Sequence, residues 1–150
     1  MNKKAYSYAI KLLTKRDYSK FKLSEKLKSK DFTSDEISDV IEYLLEKKYL
    51  REDYYLEARV KGLLRKNYGA YYIIQKLQQE FVECSEEYIS ATYIAISLTP
   101  QEQIMSITEK KLRLLNKNLE RHIKKNKLLT LVQSKGHQIS QAYPIIEKLL

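Results

Sequence analysis

Apolar residues recur at helical spacing along almost the whole chain of 150 residues. Positions i, i+3, i+4, i+7 and i+8 lie on one face of an α-helix, so this spacing predicts a buried stripe. The first stripe consists of Ala5, Tyr8, Ala9, Leu12 and Leu13. The second consists of Ile37, Val40, Ile41, Leu44 and Leu45. The pattern predicts an all-helical protein without strands.

Short polar motifs mark where the helices begin. Thr33-Ser34-Asp35-Glu36 is a capping box, in which the Thr hydroxyl and the Glu carboxylate each accept a hydrogen bond from a backbone N–H. Thr99-Pro100 is a second start, because proline loses no hydrogen bond at the first helical position. Ser19 and Ser85 are further candidate caps. The pattern predicts nine helices, at about 4–16, 20–30, 34–48, 53–66, 70–82, 86–98, 100–117, 119–135 and 138–149.

A weak internal repeat groups these helices into three sets of three. Residues 29–32 (Ser-Lys-Asp-Phe) align with residues 134–137 (Ser-Lys-Gly-His) at an offset of 105, and Lys26-Leu27 align with Lys76-Leu77 at an offset of 50. Chance similarity between amphipathic helices of equal length is the alternative explanation. The repeat predicts three-helix units at 1–50, 51–99 and 100–150, joined by connections too short to be free linkers.

Composition narrows the class and the compartment. Glycine, at 3 residues, and proline, at 2, fall far below the usual roughly 7% and 5%, which disfavours a turn-rich β-sandwich or barrel. A single cysteine excludes an internal disulfide and fits a reducing compartment. No apolar run approaches the roughly 18 residues that a membrane span needs, and the start lacks the features of a signal peptide. We therefore expect a cytoplasmic protein without membrane contact.

The residues able to carry catalysis are few and scattered. Cys84, His122 and His137 lie in no metal-ligand spacing, no nucleophile motif and no glycine-rich phosphate loop. We expect both histidines to be exposed and Cys84 to fill a small apolar space. The chain is therefore not expected to be an enzyme, to hold a metal or cofactor, or to take a small-molecule substrate.

Basic residues exceed acidic ones by 28 to 19, a formal net charge of +9, and the excess lies at the two ends of the chain. Residues 1–50 carry a net +4, residues 51–100 a net −1 and residues 101–150 a net +6. The densest group contains Lys110, Lys111, Arg113, Lys117, Arg121, Lys124, Lys125 and Lys127. In one straight helix most of these would share a face that could follow phosphates, although a turn at 116–118 would interrupt it. A solvated helix face is the alternative.

The thirteen tyrosines are the other unusual feature. Tyr54 and Tyr55 lie near the start of the fourth predicted helix, and Tyr68, Tyr71 and Tyr72 lie around the start of the fifth. Rings beside cationic side chains can stack on unpaired bases, as in single-strand-binding proteins. Because basic and aromatic residues do not alternate clearly here, core packing or contact with a partner is favoured.

The middle of the chain resembles the RecX family of recombination regulators. The resemblance is carried by residues 50–58 (LREDYYLEA), 66–69 (KNYG) and 73–77 (IIQKL), and it extends to the start and to the turn at 134–137. The matching motif positions are Asp53, Tyr68, Gly69, Leu77 and Gly136. The chain departs from the family where Asn67 replaces a glycine, residues 79–81 (QEF) replace a basic-glycine turn, and His137 replaces phenylalanine.

The resemblance implies both a fold and a function. The fold is three tandem three-helix repeats in an elongated, curved array, and the function is binding to the RecA recombinase filament, with inhibition of strand exchange and ATP hydrolysis. DNA would be contacted weakly or through the filament. The alternative is a stand-alone DNA- or RNA-binding protein of helix-turn-helix type, although lysine predominates here and arginine is the better reader of bases.

Gly69 gives the sequence a local test. We expect it to occupy a tight turn between the fourth and fifth helices with positive φ, where a β-carbon costs about 1–2 kcal/mol. The substitution Gly69→Val should lower the free energy of unfolding by that order, measured by thermal melting. An unchanged melting temperature would mean that the glycine has no backbone role.

Overall fold

The computed structural model describes residues 1–150 and contains nine α-helices and no strand. The helices are α1 (Lys3–Leu13), α2 (Lys20–Lys28), α3 (Ser34–Glu46), α4 (Glu52–Arg65), α5 (Ala70–Gln79), α6 (Glu86–Ala95), α7 (Pro100–Leu114), α8 (Arg121–Ser134) and α9 (Ile139–Leu149). The predicted all-α class and the predicted number of helices are confirmed. Most predicted helix ends lie one to three residues beyond the observed ends.

Side-chain caps begin the helices at the predicted places. The Thr33 hydroxyl accepts a hydrogen bond from the Glu36 N–H at 3.2 Å, and the Glu36 carboxylate accepts one from the Thr33 N–H at 2.9 Å. The Thr99 hydroxyl accepts a hydrogen bond from the Glu102 N–H at 3.1 Å and so caps α7, with Pro100 in the first turn of the helix. Ser19 and Ser85 cap α2 and α6. All four predicted caps are confirmed, because each one satisfies a backbone N–H that the helix leaves unpaired.

Residues in the left-handed backbone region end several of the helices. Asn67 follows α4 with φ +69°, and Gly136 follows α8 with φ +90°. The residue after each donates its N–H back to the last turn of the helix, as His137 does to the Val132 carbonyl at 3.3 Å, which is a Schellman motif. A change of φ at a single residue leaves no trace in the hydrophobic periodicity. The helix ends predicted from that periodicity therefore lie beyond the observed ends.

Three of these left-handed residues follow the internal repeat. Asp31 has φ +65°, Phe81 has φ +57° and Gly136 has φ +90°. They are separated by the offsets of 50 and 105 residues at which the sequence aligns with itself. The recurrence supports a common helix–turn–helix unit, and the division at 1–50, 51–99 and 100–150 stays a prediction.

The chain divides into two compact units. Unit 1 comprises Met1–Arg59 and Glu80–Val82, and unit 2 comprises Val60–Gln79 and Glu83–Leu150. Within unit 1, helices α1, α2 and α3 pack against one another in pairs. Their core contains Ala5, Ala9, Tyr18, Leu23, Leu27, Val40, Ile41, Leu44 and Leu50. Both predicted stripes thus contribute to one core.

Within unit 2, helices α7, α8 and α9 likewise pack in pairs, and α5 packs on α6. The core of the α7–α9 bundle contains Ile104, Ile107, Leu128, Val132, Ala142 and Ile146. Leu77 of α5 is fully buried, so this family-motif position serves packing. Asp53, another motif position, belongs to unit 1 and lies exposed in the first turn of α4. A carboxylate there stabilises the helix by interacting with the positive end of the helix dipole.

A buried carboxylate ties the turn after α5 into unit 1. Glu80 is 4% exposed and accepts a hydrogen bond from the Tyr55 hydroxyl at 2.7 Å and one from the Arg59 guanidinium at 2.9 Å. The Lys22 ammonium lies 3.7 Å away. Burial raises the pKa of Glu80, but the hydrogen bonds from Tyr55 and Arg59 outweigh it, and the pKa lies below its usual value. Sequence analysis missed this role because nothing adjacent to Glu80 distinguishes it.

The lowered pKa of Glu80 predicts a pH dependence of stability. The carboxylate stabilises the fold above its unfolded pKa of about 4.5, and this contribution disappears as the pH falls through the folded pKa. Glu80→Gln leaves Arg59 without its anion, so we expect it to lower the free energy of unfolding by about 1–3 kcal/mol at neutral pH. It should also flatten the loss of stability in acid.

Urea denaturation at neutral and acidic pH measures both effects. Glu83→Gln is the matched control, because it removes the same charge from an exposed position three residues away. Equal losses of stability in the two variants would contradict a structural role for the Glu80 carboxylate.

Candidate functional site

The basic cluster predicted from the sequence does not form one straight helix. Helix α7 ends at Leu114 and α8 begins at Arg121, so residues 115–120 turn the chain between them. The Asn116 side chain accepts a hydrogen bond from the Asn118 N–H at 2.9 Å and stabilises this turn. The turn that the sequence analysis considered at 116–118 is therefore present, and Lys110, Arg113, Lys117, Arg121 and Lys124 do not share one straight helix face. The physical reason is the local turn chemistry of Asn116.

Two cations of the cluster are held by an acidic residue of α9. The Lys125 ammonium lies 2.6 Å from one carboxylate oxygen of Glu147, and the Arg121 guanidinium lies 3.1 Å from the other. Lys125 also donates to the Tyr143 hydroxyl at 2.6 Å. The hydrogen bond from Lys125 holds the pKa of Glu147 below its usual value. These two cations therefore have partners inside the protein, which leaves them less available to an external anion.

Two other cations of the cluster line one groove between α7 and α8. Lys111 and Lys127 border a groove of ≈ 390 Å³ that is completed by Asn126, Thr130, Leu131 and Ser134. None of the lining residues is acidic. The two lysine ammonium groups, with the Asn126 amide and the Thr130 hydroxyl, are donors suited to the oxygens of a phosphate. The Ser134 hydroxyl already donates to the Leu131 carbonyl at 2.6 Å. We call these six residues the α7–α8 groove. Within the predicted basic cluster, this groove has the side chains suited to binding an anion.

The remaining cations of the cluster surround the α7–α8 turn. Lys110, Arg113 and Lys117 are exposed. Lys124 is half-buried and donates to the Lys117 carbonyl at 3.3 Å. The structure therefore distributes the eight predicted residues among a pair on Glu147, a pair in the groove and a looser group at the turn.

The motif glycines of the resemblance meet each other inside unit 2. The Gly69 N–H donates to the Lys135 carbonyl at 2.7 Å, and the Tyr71 N–H donates to the Gly136 carbonyl at 3.3 Å. A β-carbon on Gly69 would lie 2.6 Å from the Gly136 oxygen. The turn between α4 and α5 is thus bonded through backbone atoms to the turn between α8 and α9. We call this contact the glycine junction.

The structure corrects the predicted reason for Gly69. Gly69 does lie in the turn between α4 and α5, but the residue with positive φ in that turn is Asn67. Asparagine tolerates the left-handed region better than other residues with a β-carbon, which explains why it can replace a glycine there. Gly69 itself is required by the close approach of Gly136.

Polar side chains surround the glycine junction. His137, predicted to be exposed, is 5% exposed, and its Nε2 lies 2.9 Å from the Asn67 carbonyl oxygen, so that prediction is wrong. Burial lowers the pKa of His137, although its hydrogen bond to Asn67 opposes this. Tyr68 stacks on Tyr72 with ring centroids 4.0 Å apart, and the Lys135 ammonium lies 4.4 Å from the Tyr68 ring. These tyrosines serve packing, as favoured by the sequence.

Gln103 is a buried residue of this region that sequence analysis missed. Its amide nitrogen donates to the Leu64 carbonyl at 2.8 Å and to the Tyr68 carbonyl at 3.0 Å. Its amide oxygen accepts from the Tyr93 hydroxyl at 2.5 Å. Burial raises the pKa of Tyr93 to about 12. Gln103 therefore satisfies carbonyl groups at the end of α4 from the first turn of α7, a role that no local pattern marks.

The residues considered for catalysis do not converge. His122 is exposed, as predicted, and lies 3.3 Å from the Glu120 carboxylate. Cys84 is half-buried, and burial raises the pKa of its thiol, which disfavours the reactive thiolate. No group of three or more His, Cys, Asp or Glu side chains is placed to hold a metal ion.

Comparisons with known proteins connect the chain to one family. Residues 5–44 match the family model described as "RecX, first three-helix domain". Regulatory protein RecX of Mannheimia succiniciproducens is 33% identical over 75 residues, which are 50% of this chain and 49% of that protein. Regulatory protein RecX of Haemophilus influenzae is 32% identical over 79 residues, or 53% and 52% of the two chains. The chain thus spans about half the length of the curated relatives it matches.

Solved structures match over a longer part of the chain. The crystal structure of regulatory protein RecX superposes with a TM-score of 0.78 over 97% of this chain and 70% of that one, at 21% identity. The crystal structure of RecX from Lactobacillus salivarius has a TM-score of 0.70 over 97% and 94% of the two chains, also at 21% identity. At this identity the structures show the shared fold. The relatives are named regulatory proteins, in agreement with the prediction that the chain is not an enzyme.

No helix of the chain combines the length and the apolar character that crossing a bilayer requires.

The glycine junction predicts opposite effects for alanine at different glycines. Gly69→Ala and Gly136→Ala should each lower the free energy of unfolding by about 1–2 kcal/mol or more, because each β-carbon meets a neighbouring turn and Gly136 also has positive φ. Gly62→Ala should raise it by roughly 0.5–1 kcal/mol, because Gly62 lies inside α4 with no atom within 4 Å of the added carbon.

Chemical denaturation of the three variants tests this contrast. Gly62→Ala is the matched control, since it adds the same methyl group. Destabilisation of all three variants by one amount would contradict a specific close approach at the glycine junction.

Proposed function

We propose that this chain is a member of the RecX family and a regulatory protein that binds the RecA nucleoprotein filament. It would inhibit strand exchange and ATP hydrolysis and thereby modulate DNA repair and recombination. The observation that carries the proposal is the match of residues 5–44 to the first RecX domain, together with the RecX fold over 97% of the chain.

The charge distribution supports a filament as the partner. Residues 101–150 carry a net +6, and the α7–α8 groove contributes two lysines without an acid among its lining residues. A filament that holds DNA presents phosphates, and lysines bind them as point charges without reading the bases. Residues 51–100, with a net −1, would suit contact with protein subunits. DNA would accordingly be bound weakly or through the filament.

The competing function is a stand-alone DNA- or RNA-binding protein of helix-turn-helix type. The α7–α8 groove would serve this function too, because its two lysines would contact phosphates in either case. The two functions differ in what binding requires, since a filament regulator needs the recombinase and a stand-alone binder needs only the nucleic acid. Co-sedimentation with filaments and with bare DNA at physiological salt distinguishes them.

Neutralising the α7–α8 groove should weaken filament inhibition. We expect Lys111→Gln with Lys127→Gln to raise the concentration that half-inhibits RecA ATPase on single-stranded DNA by roughly two- to thirtyfold, because each exposed charge contact contributes about 0.2–1 kcal/mol. The wild-type protein should lose more inhibition at high salt than the variant does, since salt screens exposed charges over about 8–10 Å.

The double variant Lys3→Gln with Lys4→Gln is the control, because it removes the same charge from two exposed residues of α1. Extending the neutralisation to Lys110, Arg113, Lys117, Arg121, Lys124 and Lys125 tests the whole predicted cluster. If the groove variant inhibits as well as wild type, the α7–α8 groove is not used. If the variant with the whole cluster neutralised also does, the basic cluster is only a solvated surface and filament binding uses other residues.

An exposed tyrosine tests the contribution of uncharged contacts. Tyr54 is 50% exposed, with the Arg51 guanidinium 4.2 Å from its ring centre. We expect Tyr54→Ala to weaken inhibition of the RecA ATPase with little dependence on salt, because dry contacts are not screened. Tyr68 is less suitable, because its stacking on Tyr72 makes it part of the fold. Inhibition by Tyr54→Ala equal to that of wild type would exclude this ring from the interface.

A further inference from the structure

Unit 1 contains a cationic cavity that lies outside the predicted basic cluster. The cavity has a volume of ≈ 630 Å³ and lies among the segment 16–18, α2 and the first half of α4. Its cationic lining residues are Arg16, Lys22, Lys26 and Arg59. Two acidic residues, Asp17 and Glu80, also line it. Its size falls within the roughly 300–1,000 Å³ of pockets that take small organic ligands, which is enough for a nucleotide or two.

Both acidic residues of the cavity are already neutralised within the protein. Asp17 is bonded by the Arg51 guanidinium, with one oxygen 3.0 Å from Nη2. Glu80 receives hydrogen bonds from Tyr55 and Arg59 on separate oxygens. The lowered pKa of Glu80 means that this compensation operates at neutral pH. Asp17 is balanced by Arg51, which does not line the cavity. Glu80 balances one charge between two rim cations, Arg59 and Lys22, whose ammonium lies 3.7 Å from it. The four rim cations therefore keep a net positive charge.

The rim cations are placed to face a single ligand. Lys22 and Lys26 lie one turn apart on α2, so their side chains project from the same face of the helix. Both are exposed, and Lys26 forms no ion pair within the chain. The Arg16 guanidinium lies 4.9 Å from the Tyr18 ring centre, which orients it. Arg59, whose side chain is 30% exposed, is held by Glu80 and keeps further N–H donors for a ligand.

We propose that this cavity binds the phosphodiester backbone of a single nucleic-acid strand. Lys22 and Lys26 would contact successive phosphates, and Arg16 and Arg59 would donate to phosphate oxygens. An acidic protein segment is the less favoured ligand, because protein interfaces bury an apolar centre and the only aliphatic residue of this lining is Ala58. The site goes beyond the proposed filament binding, since it lies in the other unit and shares no residue with the α7–α8 groove.

The test measures the salt dependence of binding to a fluorescently labelled thymidine homopolymer by anisotropy. Each phosphate that a cation neutralises on a single strand adds about 0.7 to the slope of log K against log salt, so Lys22→Gln with Lys26→Gln should lower the slope by about 1.4. Lys3→Gln with Lys4→Gln makes the same charge change on α1 and should leave the slope unchanged. A change in the control equal to that in the cavity variant would overturn the proposal, since it would show only the effect of net charge.

The same substitutions made in the Lys111→Gln, Lys127→Gln background separate the two sites. A drop of about 1.4 in this background too supports a phosphate site in unit 1, whatever the filament assay gives. No drop in either background overturns the cavity site and leaves the proposed filament binding untouched. Circular dichroism verifies the fold, which substitution of exposed lysines should not perturb.

Location and ligand class are checked on the wild-type chain. Photo-cross-linking of the same oligonucleotide should label the peptides that contain residues 16–26, and labelling confined to other peptides would overturn the proposal. Poly-glutamate serves as a competitor for the labelled strand. Displacement at the same charge concentration as unlabelled oligonucleotide would overturn it as well, because it would point to an acidic protein segment as the ligand.

Discussion

The close approach of Gly69 and Gly136 organises unit 2. A turn can donate backbone hydrogen bonds to another turn only when neither carries a side chain between them, and here the Gly69 N–H reaches the Lys135 carbonyl at 2.7 Å. His137 and Gln103 then become buried because the adjoining backbone has carbonyl groups that need donors. Gly69 and Gly136, two motif positions of the RecX resemblance, therefore contact each other although they lie in separate turns.

The positive charge that the chain presents at its surface depends on which basic side chains form ion pairs within the fold. Arg121 and Lys125 converge on Glu147, and Arg59 binds Glu80, so these charges stabilise the protein first. Lys111, Lys127, Lys22 and Lys26 line a groove or cavity with weaker internal pairing or none. The net charge of +9 therefore overstates the positive charge that is available to bind a polyanion. The proposals rest mainly on these four lysines, and Arg59 adds only the N–H groups that Glu80 leaves free.

The departures from the family pattern have structural counterparts. Asn67 occupies a left-handed position at the end of α4, where asparagine is the best substitute for glycine. Phe81 has φ +57° at the turn that is basic-glycine in the family, and it is 79% exposed with its ring 4.9 Å from that of Phe21. Next to it, Glu80 is buried among Tyr55, Arg59 and Lys22. Where the family has a basic residue and a glycine, this turn has a buried carboxylate with its hydrogen-bonded partners.

The helical class, the number of helices and the residues that begin them follow from the sequence alone, because periodicity and capping are local properties that neighbouring residues encode. Thr33, Thr99, Ser19 and Ser85 all cap where the sequence places them. The burial of His137, the pairing of Lys125 with Glu147 and the partner of Gly69 emerge only when the chain is folded. Each of these depends on a residue distant in the chain, and no local pattern records which distant residue the fold brings into contact.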